Sequence, residues 1–364
     1  MRTKISESVL LRRSMTLYNR AERERFGECL LSSFNCKTTL LTTLFDSHLT
    51  FFSNNFSWYY PHVYINSKGQ IIAFMPRKGE QVYLIGVEGE GSIELIGRRP
   101  FIAHPRTPSI LYRVDNAAFL DDEGNIWSVD ISDHTNITWE KKNNLGKARV
   151  NGSMAMLPDG RVAIVGGANN ILVAQGTVED AVLDIQIWDP ESNTIEIGPN
   201  QERPRLYHST AIVLTDGCIM SAGGGSPGPV KNMNGQLFCL YDSPVRPIIE
   251  HCPSTADSES TFGITVEDTA AISRVTATKS GSSSHTRNCD ARWLELDFEI
   301  LDDKTLRVYT ENKNVMVGGI YLFNVIDDKG EVSEACVIGV DMAAVQSRKK
   351  RKIMPRKAAK KNDL

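Results

Sequence analysis

Residues 205–225 read RLYHSTAIVLTDGCIMSAGGG, and this stretch decides the fold that the sequence predicts. One apolar run ends at Asp216-Gly217, and a second leads to three consecutive glycines. Asp-Gly between apolar runs favours a tight β-hairpin, because both residues tolerate the positive φ of such a turn. We therefore predict two antiparallel strands joined at Gly217. Residues 223–225 do not form a phosphate loop, because no helix is predicted after them.

The same hairpin pattern occurs at three other places in the chain. Two copies are close, YPHVYINSKGQIIAFM from Tyr60 and NGSMAMLPDGRVAIVGG from Asn151, and a looser copy is NAAFLDDEGNIWSVD from Asn116. Repeats of about 40–50 residues built from such strands are typical of β-propeller blades. The turn glycines are separated by 55, 36 and 57 positions, and they are Gly69, Gly124, Gly160 and Gly217.

The register of the hairpins connects residues that lie far apart in the sequence. Tyr60, Asn151 and His208 each precede their turn glycine by nine positions. In equivalent strands of radially arranged blades, these residues occupy the same position, which can face the central axis. The repeat therefore predicts that Tyr60 and His208 lie near one point.

After Pro244 the pattern changes to alternating strands without glycine pairs. In WLELDFE, for example, Leu294, Leu296 and Phe298 share one face of a strand. About a hundred residues of such strands favour an immunoglobulin-like β-sandwich. The predicted fold class is all-β, a kelch-like β-propeller with four recognisable hairpins, followed by this sandwich. The predicted segments are an unassigned N-terminus (1–52), the propeller region (53–244), the sandwich (245–341) and a basic disordered tail (342–364).

Composition and charge exclude several classes of protein. The formal net charge is -3, but residues 348–364 contain nine Lys or Arg and one Asp, so the rest of the chain carries -3 - 8 = -11. An acidic folded part argues against nucleic acid as its partner.

No apolar run is long enough to span a membrane, and no signal peptide is visible, so the sequence does not determine the compartment. The seven cysteines are scattered, without a C-x-x-C pair or a dense disulfide pattern.

The candidate metal ligands are Tyr207 and His208, together with His285 in the sequence SSSHTRNCDAR. Imidazole nitrogens and anionic oxygens are ligands that suit copper(II). The alternative interpretation is a packing Tyr and a His at a strand end. For Tyr60 the alternative is an ordinary blade aromatic residue, with Tyr59 as a rival. For Arg292 a structural ion pair is expected.

Several segments resemble the galactose oxidase and glyoxal oxidase family of copper-radical oxidases. RLYHSTAIVLTDG followed by GGGSPGPVKNMNG resembles the family's last blade, and HTRNCDARWLEL resembles its H-T-x-N-x-D-x-R segment. YYPHVYINSKG is similar to the blade with the second tyrosine, and GGIYLFNVIDDKGEVSEACVI to the closing segment. The resemblance covers roughly residues 55–340.

The resemblance implies a copper cofactor and a role for each candidate residue. His208 and His285 would be equatorial ligands, and Tyr60 would be the equatorial phenolate that becomes a tyrosyl radical. Tyr207 would be the axial tyrosine that accepts the proton of the substrate. A primary alcohol, an aldehyde or a sugar would be oxidised by O2, with release of hydrogen peroxide. The implied partner is a small molecule, and the expected oligomeric state is a monomer.

Two departures from the family pattern support an alternative function. The family's cysteine that cross-links the radical tyrosine has no clear counterpart, because Cys29 and Cys36 lie 31 and 24 positions before Tyr60, outside any glycine-rich hairpin. Four hairpins are recognisable, whereas the family's propeller has seven blades. The alternative is a non-catalytic propeller–sandwich that binds a glycan or a protein.

Overall fold

The structure, a computed structural model, describes residues 61–342 except 76–79, 90, 173–175, 226, 227, 229, 242 and 280. Every regular element in this part of the chain is a β-strand. This finding confirms the all-β prediction. Among the described residues, no helix is long and apolar enough to cross a membrane. The predicted segment 1–52 and residues 343–364 of the tail lie outside the described residues.

Four antiparallel sheets follow one another along the chain, and we call them blades 1 to 4. In each blade the strands pair in sequence order. Blade 1 contains β1 (His62–Ile65), β2 (Ile71–Phe74), β3 (Gln81–Gly86) and β4 (Ser92–Arg98). Blade 2 contains β5 (Ser109–Arg113), β6 (Asn116–Leu120), β7 (Asn125–Asp130) and β8 (Thr138–Asn144). Blade 3 contains β9 (Val150–Met156), β10 (Val162–Ala168), β11 (Asp184–Asp189) and β12 (Thr194–Asn200). Blade 4 contains β13 (Ser209–Val213), β14 (Ile219–Gly223) and β15 (Gly235–Phe238).

Three of the predicted hairpins are the first two strands of a blade. They are β1–β2, β9–β10 and β13–β14, and each pair is antiparallel. At each turn the glycine N–H donates to the carbonyl three residues earlier, at 2.9 Å for Gly69 and 3.0 Å for Gly160 and Gly217. The three glycines have φ between 79° and 93°. The turn chemistry that the sequence indicated is therefore formed in all three blades.

The looser copy at Asn116 is not an equivalent hairpin. Its strands are β6 and β7, the second and third strands of blade 2. The first turn of this blade is instead Val114-Asp115, with Asp115 at φ 59°. Because Asp can adopt positive φ without glycine, this turn lacks the signal that revealed the other three.

The last third of the described chain forms a two-sheet sandwich. One sheet has the order β16-β18-β24-β23 and the other β17-β26-β25-β19-β22, with only the β17–β26 pair parallel. Apolar side chains of both sheets pack into one core. The strands are β16 (Ile249–His251), β17 (Thr255–Ala256), β18 (Thr261–Val266), β19 (Ile272–Lys279), β22 (Arg292–Leu296), β23 (Phe298–Ile300), β24 (Thr305–Tyr309), β25 (Gly319–Asp327) and β26 (Cys336–Val340). Between β19 and β22, a separate hairpin pairs β20 (Ser282–Ser284) with β21 (Arg287–Cys289).

The sandwich packs directly on the blades through Trp293. Its ring is buried in the same apolar cluster as residues of blades 2 and 3. The indole N–H donates to Pro158 O at 2.8 Å, and the Arg113 guanidinium lies 4.3 Å from the ring centroid. A Cβ on Gly160 would come within 2.9 Å of Trp293. The glycine of the blade 3 turn thus serves both the turn and the contact with the sandwich.

We predict that Gly160→Ala destabilises the protein more than Gly146→Ala does. Both glycines have positive φ, but a Cβ on Gly146 meets no atom within 4 Å. Gly146→Ala should cost about 1 kcal/mol of backbone strain, and Gly160→Ala about 2–4 kcal/mol because it also crowds Trp293. Urea unfolding of the two variants measures the difference. Equal losses would contradict the packing contact.

Disulfides connect cysteines that the sequence did not pair. Cys218 is bonded to Cys239 across β14 and β15, and Cys252 to Cys336 at one end of the sandwich. Cys289, at the end of β21, is also disulfide-bonded. The expectation that the cysteines form no dense pattern missed these bridges, because pairing depends on strand neighbours rather than on spacing.

We predict that each of the two described bridges stabilises the protein. In the chain-entropy model, the Cys218–Cys239 bridge, with a sequence separation of 21 residues, contributes about 3 kcal/mol. The Cys252–Cys336 bridge, with a separation of 84 residues, contributes about 4.5 kcal/mol. Double Cys→Ser variants of each pair, unfolded in urea without reductant, measure these values. Unchanged midpoints would show that the bridges do not form.

Candidate metal centre

Tyr207 and His208 lie at a sharp bend immediately before β13. The Ser209 N–H donates to Leu206 O at 2.9 Å, and His208 has φ 65°. The two rings stack, with centroids 3.8 Å apart and an interplanar angle of 24°. Tyr207 is 1 % exposed, whereas His208 is exposed to solvent. The bend therefore holds a buried phenol against an accessible imidazole.

The glycine run after β14 lies against this bend. A Cβ on Gly224 would lie 3.0 Å from the Leu206 nitrogen, and Gly224 has φ 108°. The N–H of Gly225 donates to Tyr207 O at 2.7 Å. The run 223–225 thus allows the two backbone segments to approach closely, because only glycine permits this approach.

His285 lies at the tip of the β20–β21 hairpin of the sandwich, with φ 54°. The carbonyl of the next residue, Thr286, accepts a hydrogen bond from Ser153 Oγ of blade 3. Arg287 donates to Pro105 O, before blade 2, and to Pro61 O at 3.4 Å, before blade 1. The hairpin tip therefore reaches the place where the first strands of the blades meet.

At this place the structure brings His208 and His285 together. Their ring centroids are 4.8 Å apart at an interplanar angle of 58°, and Tyr207 is 6.0 Å from His285. His285 Nδ1 and Ser284 Oγ form a hydrogen bond of 2.7 Å, which orients the imidazole. Positive φ in two non-glycine residues is uncommon and concentrates at functional sites. Tyr60, the fourth residue of the predicted site, lies outside the described residues.

The predicted register is reproduced in blade 3. Asn151, which corresponds to His208, also has positive φ, at 62°. Its neighbour Gly152 donates to Arg149 O at 2.9 Å, the same bond that Ser209 makes to Leu206. Equivalent positions in separate blades thus adopt the same bend.

Sequence reasoning missed one residue of the site, Arg106. In blade 2 a similar bond runs from the Thr107 N–H to His104 O, at 3.0 Å, and Arg106 lies within this bend. Its guanidinium carbon lies 4.1 Å from the centroid of the Tyr207 ring. The turn of this blade lacks glycine, so counting back from a turn glycine could not identify Arg106.

A buried ion pair supports the base of the β20–β21 hairpin. Lys279 contacts Asp290, and Arg292 lies 4.0 Å from the same carboxylate. Burial lowers the pKa of the Lys279 amine, and the neighbouring Asp290 charge partly offsets this effect. Arg292 also donates to Val315 O at 2.7 Å. These contacts agree with the structural role expected for Arg292.

A third histidine, His62, lies in the surroundings of the site. His62 is buried at the start of β1 and hydrogen-bonds Ser109 Oγ. Burial lowers the pKa of His62 well below its usual value, and the nearby charges of Arg287 and Arg99 lower it further. The interior beside the hairpin tip is therefore electropositive.

The donor chemistry of the site fits copper(II). Two imidazoles from different sheets and an adjacent phenol are nitrogen and oxygen donors of the kind that this ion prefers. In the described part of the chain, no three His, Cys, Asp or Glu side chains are grouped to hold an ion. Among the described residues, the candidate ligands are His208, His285 and Tyr207.

Comparisons with known proteins agree with this fold. Residues 114–239 match the model of the glyoxal oxidase N-terminus, and residues 246–340 match the galactose oxidase-like early set domain. A galactose oxidase of Gibberella zeae is 27 % identical over 208 residues, which are 54 % of this chain and 30 % of the relative. A WSC domain-containing protein of Arthroderma benhamiae is 34 % identical over 84 residues, which are 22 % of this chain and 9 % of that protein.

A solved structure shows the same fold. It is a fungal alcohol oxidase of the AA5 family in complex with copper, with a TM-score of 0.70 and 20 % identity, covering 78 % of this chain and 63 % of that protein. Two successive parts of the chain thus match domains of the galactose oxidase and glyoxal oxidase family. The propeller and the immunoglobulin-like sandwich are confirmed. The matched part of the chain spans 30 % of the length of this galactose oxidase.

We predict that copper(II) binding requires both histidines of the site. His208→Ala and His285→Ala should each weaken copper(II) binding at least about a hundredfold, because each removes one of the two imidazole ligands. His251→Ala is the matched control, since His251 is exposed on β16. Titration calorimetry gives the affinities, and electron paramagnetic resonance shows whether nitrogen ligands are lost. Unchanged binding in either site variant would exclude that histidine as a ligand.

Proposed function

We propose that this protein is a copper-dependent oxidase that converts a primary alcohol, an aldehyde or a sugar with O2 and releases hydrogen peroxide. One observation carries the proposal, namely the 4.8 Å approach of the His208 and His285 rings beside Tyr207. The matches to the glyoxal oxidase model and to galactose oxidase support the same reaction class. For an alcohol the balance is RCH2OH + O2 → RCHO + H2O2, so two electrons and two protons pass from substrate to oxygen.

In this proposal each residue of the site has a separate role. His208 and His285 hold the ion, which when bound acts as a Lewis acid and accepts one electron. Tyr60 would be the phenolate that forms a tyrosyl radical, and this radical would accept the second electron of the substrate. Tyr207 accepts the hydroxyl proton of the substrate at its phenol oxygen. Ser284, through its bond to His285 Nδ1, keeps the imidazole oriented.

The burial pattern of the site suggests how the substrate enters. His208 is exposed, His285 is half-buried and Tyr207 is 1 % exposed. A small molecule therefore meets the imidazoles from the solvent side, while the phenol ring is shielded beneath them. We propose that the substrate binds at the exposed edge of His208.

We also propose that the protein acts as a monomer.

The disulfides suggest a compartment. Cys218–Cys239, Cys252–Cys336 and the bridge at Cys289 are bonds that persist in oxidising environments and are rare where thiols are kept reduced. We propose that the protein works in an extracytoplasmic, oxidising compartment.

We predict that copper-loaded protein, after one-electron oxidation, releases peroxide from at least one member of a panel of small alcohols, aldehydes and sugars. A peroxidase-coupled assay with oxygen-electrode measurements checks the 1:1 balance of O2 and peroxide. His208→Ala should lower the rate by at least about a thousandfold, because the ion is lost, and His251→Ala should leave it unchanged. If wild-type protein yields no peroxide, and glycans bind it and His208→Ala equally, the oxidase proposal is wrong and the binding alternative is favoured.

A further inference from the structure

Arg106 is a buried cation in direct contact with Tyr207. Its side chain is 7 % exposed, and its guanidinium carbon lies 4.1 Å from the Tyr207 ring centroid. A guanidinium at this distance over a phenol face is attracted by the negative potential of the ring, more strongly when both groups are buried. Arg106 therefore stabilises one position of the Tyr207 ring.

The two neighbours of the Tyr207 ring occupy opposite faces. The His208 ring stacks at 3.8 Å, and the Arg106 guanidinium lies at 4.1 Å. Each face of a six-membered ring has room for one planar group at such a distance. The phenol is thus held between a guanidinium and an imidazole, and the three side chains form a stack that ends at the exposed His208.

The backbone around Arg106 is fixed from three directions. Its N–H donates to His104 Nδ1 at 3.2 Å, and its carbonyl accepts from the Asn151 N–H of blade 3 at 2.9 Å. The preceding carbonyl, Pro105 O, accepts from Arg287 at the tip of the sandwich hairpin. The cation is therefore held in place by the same hairpin that carries His285.

From this geometry we infer that Arg106 is a positioning residue, which holds Tyr207 against His208 and thereby fixes the phenol beside the imidazole pair. The inference rests on the proposed function for its consequence, because a phenol fixed in this way would be placed to bind the ion and receive the substrate proton. The stacking itself does not depend on the ion. The two claims can therefore be tested separately.

The first test uses metal-free protein. The Tyr207 ring current shifts the imidazole proton resonances of His208 upfield, so these resonances report the stack. Arg106→Met should move them toward the values of an unstacked histidine, and Arg106→Lys, which keeps the charge without the planar group, should move them less. Arg203→Met is the control, since Arg203 is exposed on the same approach to blade 4. Unmoved resonances in a folded Arg106→Met variant would overturn the inference.

The second test is a double-mutant cycle on copper(II) affinity with Tyr207→Phe. If Arg106 acts through the phenol, Arg106→Met should weaken binding about tenfold in the wild-type background and less than about twofold in the Tyr207→Phe background. Thermal unfolding of each metal-free variant separates this coupling from loss of folding, and Arg106→Lys serves as the better-folding variant. Equal losses in both backgrounds would refute the positioning role. Wild-type protein that binds no copper would refute the proposed function and leave the resonance test to decide the role of Arg106.

Discussion

The site depends on the insertion of one hairpin of the sandwich among the first strands of the blades. The tip, residues 285–287, is anchored by Ser153 Oγ on the Thr286 carbonyl and by Arg287 on Pro105 O and Pro61 O. These are backbone carbonyls and a hydroxyl, so the anchoring depends on the course of the chain in blades 1, 2 and 3. Buried hydrogen bonds of this kind are costly to leave unmade. His285 is consequently held at one position opposite His208.

Backbone strain appears on both sides of this contact. His208, His285 and Thr286 all have φ between 54° and 71°, a region that costs free energy for residues other than glycine. Such conformations persist only where the surrounding structure enforces them. Here the enforcing contacts are the Leu206–Ser209 bond, the close approach of Gly224 and the anchors of the hairpin tip. These contacts on both sides hold the two imidazole rings facing each other.

Charge around the site is predominantly positive. Arg106 and Arg287 are both nearly buried, and the charges of Arg287 and Arg99 contribute to the lowered pKa of His62. Guanidinium groups tolerate such burial because their planar donors bind carbonyls and stack on rings.

Local chemistry explains which elements the sequence predicted. Turns with Gly69, Gly160 and Gly217 were found because positive φ in a tight turn selects glycine. The alternating run WLELDFE predicted one sandwich strand, but it forms β22 and β23 in different sheets, because the chain crosses between the sheets at Asp297. The Val114-Asp115 turn was missed because Asp substitutes for glycine there. The disulfides were missed because neighbouring strands, rather than sequence spacing, bring Cys218 to Cys239.

By itself, the sequence determined the repeated hairpins, the change to sandwich strands and the residue types of the site, because turn preferences and side-chain alternation are short-range properties. Only the tertiary structure decided that His208 and His285 meet and that Arg106 covers the second face of Tyr207. Arg106 and Tyr207 are about a hundred positions apart, and His208 and His285 belong to different sheets. The physical cause of these contacts is the docking of the sandwich hairpin on the blades, which no local pattern records.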